Sequence, residues 1–341
     1  MFQGKFCNDS LHTTANTVQF FFDLFAGWRM RARRLMSCAL APLVLSACGG
    51  DSSGPTPPVQ LVWSNVASGT TQNIHGVWGT SGSDVWAVGW GNVLHYNGAS
   101  WTSLPIGAST IAFGVRGTSP TNVWLVGNDG TPLHYDGANF TRGPALPILS
   151  LQKVWGTSAS DIWAVGQVGT ILHYNGVSWS SMSTAQTHWF RGLWGSSASD
   201  VWAVGYNDQA PYPPIMYHYN GTSWSSVSTG ATQGFYGVWG TSASNVWVVG
   251  TGGLIMHYAG TTWSTVPSGT TQPLFSVWGT SASDVWAVGT YRTILHYDGS
   301  SWSTVRRETT DILFDIWGSS ATNIWASGTS GTLLHASPPA L

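Results

Sequence analysis

Two tryptophans and a histidine recur in fixed phase along this chain, and that phase constrains the fold more than any other feature. The first tryptophan stands at Trp78, Trp155, Trp194, Trp239, Trp278 and Trp317, with Arg116 in the second copy. The steps are 38, 39, 39, 45, 39 and 39 residues. The second tryptophan recurs at 86, 124, 163, 202, 247, 286 and 325, and the histidine at 95, 134, 173, 218, 257, 296 and 335. Seven copies in phase imply seven supersecondary units, each of which buries its apolar faces only against its neighbours.

Each copy holds four short runs between turn residues. Run a is typified by Gly237-Val238-Trp239-Gly240, and run b by Asp284-Val285-Trp286-Ala287-Val288-Gly289. Run c is typified by Thr170-Ile171-Leu172-His173-Tyr174, and run d by Trp263-Ser264-Thr265-Val266. Such β-branched and aromatic runs bounded by Gly, Ser and Asn read as strands. Runs b and c are apolar at successive positions, which implies burial on both faces. A four-stranded sheet held between two copies of itself meets that demand. The predicted fold is all-β: a seven-bladed β-propeller over residues 60–341, with four antiparallel strands per blade. The last copy lacks run d, and the chain instead begins with a spare one, Val62-Trp63-Ser64-Asn65-Val66. This N-terminal strand is predicted to close the last blade; an open array would need capping units at both ends.

Composition agrees. Only 8% of residues are charged, while the chain holds 22 Trp and 42 Gly. Disordered chains are charge-rich and aromatic-poor. Helical bundles need Ala, Glu, Lys and Leu in quantity. A nucleic-acid partner is not expected, since no positive field is present to neutralise phosphates. Nineteen of the tryptophans occupy repeat positions, where burial in the blades is the expected role.

The first sixty residues differ in kind. Met30-Arg31-Ala32-Arg33-Arg34 followed by the apolar run 35–45 is laid out as a secretory signal. Leu45-Ser46-Ala47-Cys48 resembles the lipobox of bacterial lipoproteins, which implies cleavage and lipidation at Cys48. The expected organisation is a mis-called extension over 1–29, a signal peptide over 30–47 and a flexible tether over 48–59 ahead of the propeller. Gly49 after the cysteine fits the outer membrane in that family's pattern. Localisation at the outer membrane, on its periplasmic face or the cell surface, is therefore expected. Membrane contact would run through the lipid alone, because the chain from Cys48 onward carries 7 Lys and Arg against 12 Asp and Glu. With cysteines only at 7, 38 and 48, the propeller can form no disulfide or thiolate metal site.

His95-Tyr96-Asn97-Gly98-Ala99-Ser100-Trp101 and its counterparts resemble a degenerate Asp-box, or BNR repeat, with His in place of Ser or Thr. Asn-Gly and Asp-Gly also favour tight hairpins in their own right. The chain as a whole resembles the Trp-rich propeller-repeat proteins of secreted bacterial proteomes. Asp-boxes are structural in their families and sit away from the binding face. The seven repeat histidines are therefore expected to be structural, not ligands.

A unique ligand must break the sevenfold symmetry. The a–b and c–d loops are nearly invariant, whereas the d–a and b–c loops, on the opposite face, hold the variation. Functional residues concentrate on loops of a rigid scaffold. The candidate binding residues on this face are His75, Trp90, Lys153, His188, Trp189, Arg191, Tyr236, Arg292 and Asp315. The d–a loop before Asp315 also holds Arg306, Arg307 and Glu308. The side chains just before run a, namely His75, Phe113, Gln152, Arg191, Tyr236, Phe275 and Phe314, are expected to ring the central opening. Such a ring suits a sugar or peptide held by stacking and hydrogen bonds. Arg116 is expected to pack against neighbouring rings.

The sequence has no His-Glu-x-x-His, no Gly-x-Ser-x-Gly and no phosphate loop, and Glu308 is its one glutamate. The function expected is that of a non-catalytic glycan- or protein-binding module without cofactor or metal, acting as a monomer. The alternatives are a carbohydrate-active enzyme or a structural or assembly scaffold. Within the enzyme class, a polysaccharide lyase using His75, His188, Tyr236, Arg191 and Lys153 ranks above a sialidase-like glycosidase.

Overall fold

The computed structural model describes residues 60–339 apart from 108–109, 145–149, 183, 185–186 and 307–310. The extension, signal, Cys48 and tether assigned to 1–59, together with Arg307 and Glu308, lie outside the described residues.

Seven four-stranded antiparallel sheets make up the fold. In blade one, strand a is Ile74–Ser81, b is Asp84–Gly89, c is Asn92–Tyr96 and d is Trp101–Pro105. Blades two to six repeat the pattern at 112–142, 151–181, 188–226, 235–265 and 274–306. The seventh sheet takes Leu313–Ser320, Asn323–Gly328 and Leu333–Ser337 from the C-terminal end, and its outer strand is Val62–Asn65. The closing strand pairs antiparallel with the last one, from Val62 opposite Ser337 to Asn65 opposite Leu334.

The repeat markers are neighbours across each sheet. Trp155 lies opposite Trp163, Trp163 opposite His173, and His173 opposite Ser180. Paired residues share a face, so one row of side chains runs from hub to rim. Strand b is buried on both faces, as its unbroken apolar run requires: Val85, Trp86, Ala87 and Val88 are at most 1% exposed.

The middle tryptophan of each row stacks on its own histidine and reaches into the next blade. Trp86 stacks on His95 with ring centres 4.0 Å apart and meets Tyr135 of blade two at 5.0 Å. Trp325 of blade seven meets Tyr96 and Trp101 of blade one at 5.6 and 5.4 Å, which closes the circle. Trp286 of blade six packs on Trp63 of the closing strand at 5.9 Å. Trp63 thus takes the place that a strand-d tryptophan holds elsewhere.

The histidines are spoken for. Nε2 of His95, His173, His218 and His296 lies 2.6–2.8 Å from the aspartate that opens strand b. In blades two, five and seven an asparagine takes that place, at Asn122, Asn245 and Asn323. Burial lowers the pKa of His134, His257 and His335 in those three blades.

Glycine is required where blades meet at the hub. A Cβ on Gly117 would stand 2.7 Å from the Trp78 ring and 2.5 Å from the Asn122 carbonyl, so each hub tryptophan packs its outer ring atoms against the next blade's glycine. On the c–d hairpin Gly98 adopts φ +92°, while the Asn97 side chain accepts hydrogen bonds from the backbone N–H groups of Ala99 and Ser100.

Candidate functional site

A bulge repeated seven times positions the site. Near the start of strand a, Ile74 pairs with Gly89 and Gly76 with Val88, which leaves His75 over. The same slip leaves Phe113, Gln152, Arg191, Tyr236, Phe275 and Phe314 without a cross-strand partner. Bulges re-aim a side chain. These seven side chains all line one depression of about 510 Å³, with Asn128, Ser150, Lys153, Gln167 and Trp189.

Blade four departs from the symmetry. Its strands a and b run longer than elsewhere, as His188–Ser197 and Asp200–Asn207, and Trp189 pairs with Tyr206. Arg191 is held among rings. Its Cζ lies 4.8 Å from the Trp189 ring centre, 5.6 Å from Tyr236 and 6.0 Å from Tyr206. Its Nη1 donates to Gln152 Oε1 at 2.8 Å, and Gln152 Nε2 donates to Ser150 Oγ at 2.9 Å. No carboxylate among the described residues forms an ion pair with it. Such a guanidinium, fixed by an amide and stacked on aromatics, can take an acidic or polar group of a ligand bidentately.

Just below, Lys153 Nζ meets Asp315 Oδ2 at 3.0 Å. Asp315 also accepts from Ser276 Oγ at 2.7 Å and from the Val77 N–H at 3.3 Å. His75 packs against Phe113 and Phe314, with ring centres 5.2 and 4.9 Å away. Burial, then the charges of Lys153 and Arg191, lower its pKa to about 4. It is therefore neutral at pH 7.

Five candidates come together at this depression: His75, Lys153, Trp189, Arg191 and Tyr236. Asp315 lies beneath it as the partner of Lys153. Three candidates are not among its lining residues. Trp90 is half exposed and bridges to Ile111 in a neighbouring loop. His188 bonds through Nδ1 with Thr184 Oγ1 at 3.2 Å and packs on Tyr217. Arg292 pairs with Asp311 at 2.5 Å and reaches Asn65 and Thr332, which makes it a clamp between blades. Loop membership placed these three on the correct face, but their own loops hold them away from the axis. Ser150 and Gln167 join the lining without any signal in their residue type. Tyr206, seen in the sequence only as the edge of an insertion, backs Arg191 and Trp189. Among the described residues no group of three His, Cys, Asp or Glu is placed to hold a metal ion.

The buried neutral histidine predicts a pH dependence. An unfolded chain takes up a proton near pH 6.5, whereas folded His75 resists until about pH 4. The associated stability is present in full above pH 6.5 and drains away as pH falls towards 4, up to about 3 kcal/mol. Urea unfolding of the wild type should weaken over that window by more than that of His75→Phe. Parallel curves for the two proteins would show that His75 is not the group responsible.

No protein-family model matches the chain, and no curated protein matches it. Solved structures do. One is described as YCF48 bound to D1 peptide, with TM-score 0.67 and 17% identity, covering 81% of this chain and 97% of that one. YCF48 from Cyanidioschyzon merolae aligns with TM-score 0.67 and 14% identity, over 81% of this chain and 99% of that one. The WD40 β-propeller domain of Doa1 aligns with TM-score 0.68 and 12% identity, over 82% and 98%. At such identities the likeness is one of fold, and by that likeness and its own seven sheets the chain is a β-propeller.

Proposed function

We propose that this protein is a non-catalytic binding module that receives a segment of a partner, protein or glycan, in the depression at the mouth of its hub. One observation carries the reading: five side chains that break the sevenfold repeat, His75, Lys153, Trp189, Arg191 and Tyr236, line a single depression of about 510 Å³. Symmetric loops would serve any propeller; a unique aromatic and cationic lining suits a unique ligand. The protein arm draws support from the fold neighbour solved with a D1 peptide. The glycan arm draws support from the rings of Trp189, Tyr236 and Phe275, which suit sugar stacking. The proposal includes a lipid at Cys48 that holds the module at the outer membrane, outside the cytoplasm.

The test is a glycan array and a pull-down from envelope extracts with the intact chain, compared with Trp189→Ala plus Arg191→Ala. Central aromatic and arginine anchors contribute roughly 2 kcal/mol or more each, so binding should fall by at least about 100-fold. A partner retained at full affinity by the double variant, or none found by either screen, overturns the reading. Membrane fractionation of Cys48→Ala in the same cells checks the anchor, since the variant should be released.

A second reading has one observation in its favour. His75 is neutral and shares the depression with Arg191, Lys153 and Tyr236, residue types that a uronate lyase uses for proton abstraction beside a neutralised carboxylate. Absorbance of unsaturated products on uronic polysaccharides decides between the two.

A further inference from the structure

Below the mouth, the hub narrows to a second cavity of about 90 Å³. Its walls are the six hub tryptophans, Arg116, Lys153 and Asp315. The charges in it do not balance. Asp315 is already engaged by Lys153, Ser276 and Val77. Arg116 forms no ion pair, and its Nε is buried with no acceptor among the described residues. Its guanidinium stands over the Trp78 ring, with Cζ 5.9 Å from the ring centre. Burial draws its pKa down to about 10, with Asp315 acting in the other direction, so it keeps its charge at neutral pH.

The substitution is also accommodated in the neighbouring blade. In the other six blades, the hub tryptophan of the preceding blade lies over the strand-a glycine, as Trp78 does over Gly117. Over Gly156, where Arg116 would be the counterpart, the close side-chain atom is Ile162 Cδ1 instead. The isoleucine fills that space, and Arg116 lines the hub cavity. An uncompensated cation surrounded by aromatic walls is costly unless a counter-charge joins it. About 90 Å³ falls well short of the roughly 300 Å³ or more of an ordinary small-molecule pocket, hence suits a small ion and not a sugar.

We propose that the hub of this propeller is a binding site for a small monovalent anion of halide size, held by Arg116 with Lys153 above it. The site lies below the ligand mouth, shares Lys153 with it, and does not depend on the function proposed for that mouth. The ion would complete the ring that six tryptophans and one arginine leave with a surplus positive charge.

The experiment uses chloride and bromide on the intact folded chain. Thermal unfolding is followed while sodium chloride replaces sodium isethionate at constant ionic strength. For a millimolar site, 0.1 M chloride should raise the Tm by ~5 °C, with saturation. Chloride-35 line broadening should saturate over the same range. Arg116→Met should lose both effects, and Arg116→Lys should keep part of each. A wild-type Tm indifferent to chloride, or an Arg116→Met protein with the full chloride effect, overturns the proposal. Should Arg116→Met fail to fold, bromide-soaked wild-type crystals decide. An anomalous peak beside the Arg116 guanidinium supports the site, and its absence there overturns it.

Discussion

Deletion of residues 60–66 is expected to remove more than ~5 kcal/mol of stability, most of what a domain of this kind has to lose. These residues carry the outer strand of the seventh blade, and nothing else in the described chain can replace it. Without it, the strand Leu333–Ser337 becomes an open edge, although Leu333, Leu334 and Ala336 are at most 1% exposed in the closed ring. Trp63 would no longer cover Trp286, and loss of a large aromatic contact of this sort costs about 3–5 kcal/mol. Also lost are the ladder from Val62 to Asn65, the Val66 N–H to Leu333 bond at 2.8 Å and the Arg306 Nη1 bond to the Trp63 carbonyl at 3.2 Å. Each such bond contributes roughly 1 kcal/mol net. Unpaired edges also invite association between copies. Urea unfolding followed by tryptophan fluorescence, with size-exclusion chromatography, measures both consequences. A synthetic peptide of residues 60–66 should restore part of the loss. A truncated protein that stays monomeric and unfolds within a couple of degrees of the parent would mean that the strand is ornamental to closure.

Trp163→Ala should be the most damaging single substitution within a blade, at about 3–5 kcal/mol. Trp163 is fully buried and links two blades. It stacks on its own His173 at 4.1 Å, then reaches Tyr219 and Trp224 of blade four at 4.8 and 5.4 Å. Its Nε1 donates to Asp161 Oδ1 at 3.1 Å, the same oxygen that His173 Nε2 meets at 2.8 Å. Truncation opens a cavity between sheets and strips a partner from the half-buried Asp161 carboxylate. The companion substitution Asp161→Asn should cost under ~1 kcal/mol, because three blades already use asparagine there and keep the histidine contact. Equal losses from the two substitutions would locate the energy in the charge instead of in the ring stack.

The candidate site was legible in part, and the reason lies in how a side chain gets its direction. Subtracting the repeat isolated His75, Lys153, Trp189, Arg191 and Tyr236, which share one depression. It also selected Arg292, which the fold spends on Asp311 and Asn65. Nothing in the run Tyr291-Arg292 distinguishes a clamp from a ligand contact. The partner Asn65 belongs to the other end of the chain and becomes a neighbour only when the ring closes. In the sequence Arg116 reads as a packing residue, because it stands at a repeat tryptophan position and its planar head can stack on neighbouring rings. Its buried Nε and the engaged Asp315 are visible only in the hub.

By itself the sequence determined the number of blades, the order of strands within each, the closing role of the first strand and the face on which the symmetry breaks. All four are written in local periodicity and turn residues, which consecutive positions carry. The tertiary structure alone decided which side chains share the axis. Seven bulges turn one residue per blade inward, and the circle brings Lys153 to Asp315 and Arg191 to Gln152 across blades. Direction at a bulge and proximity across a ring are properties of the closed assembly of sheets, so no stretch of chain holds them in advance.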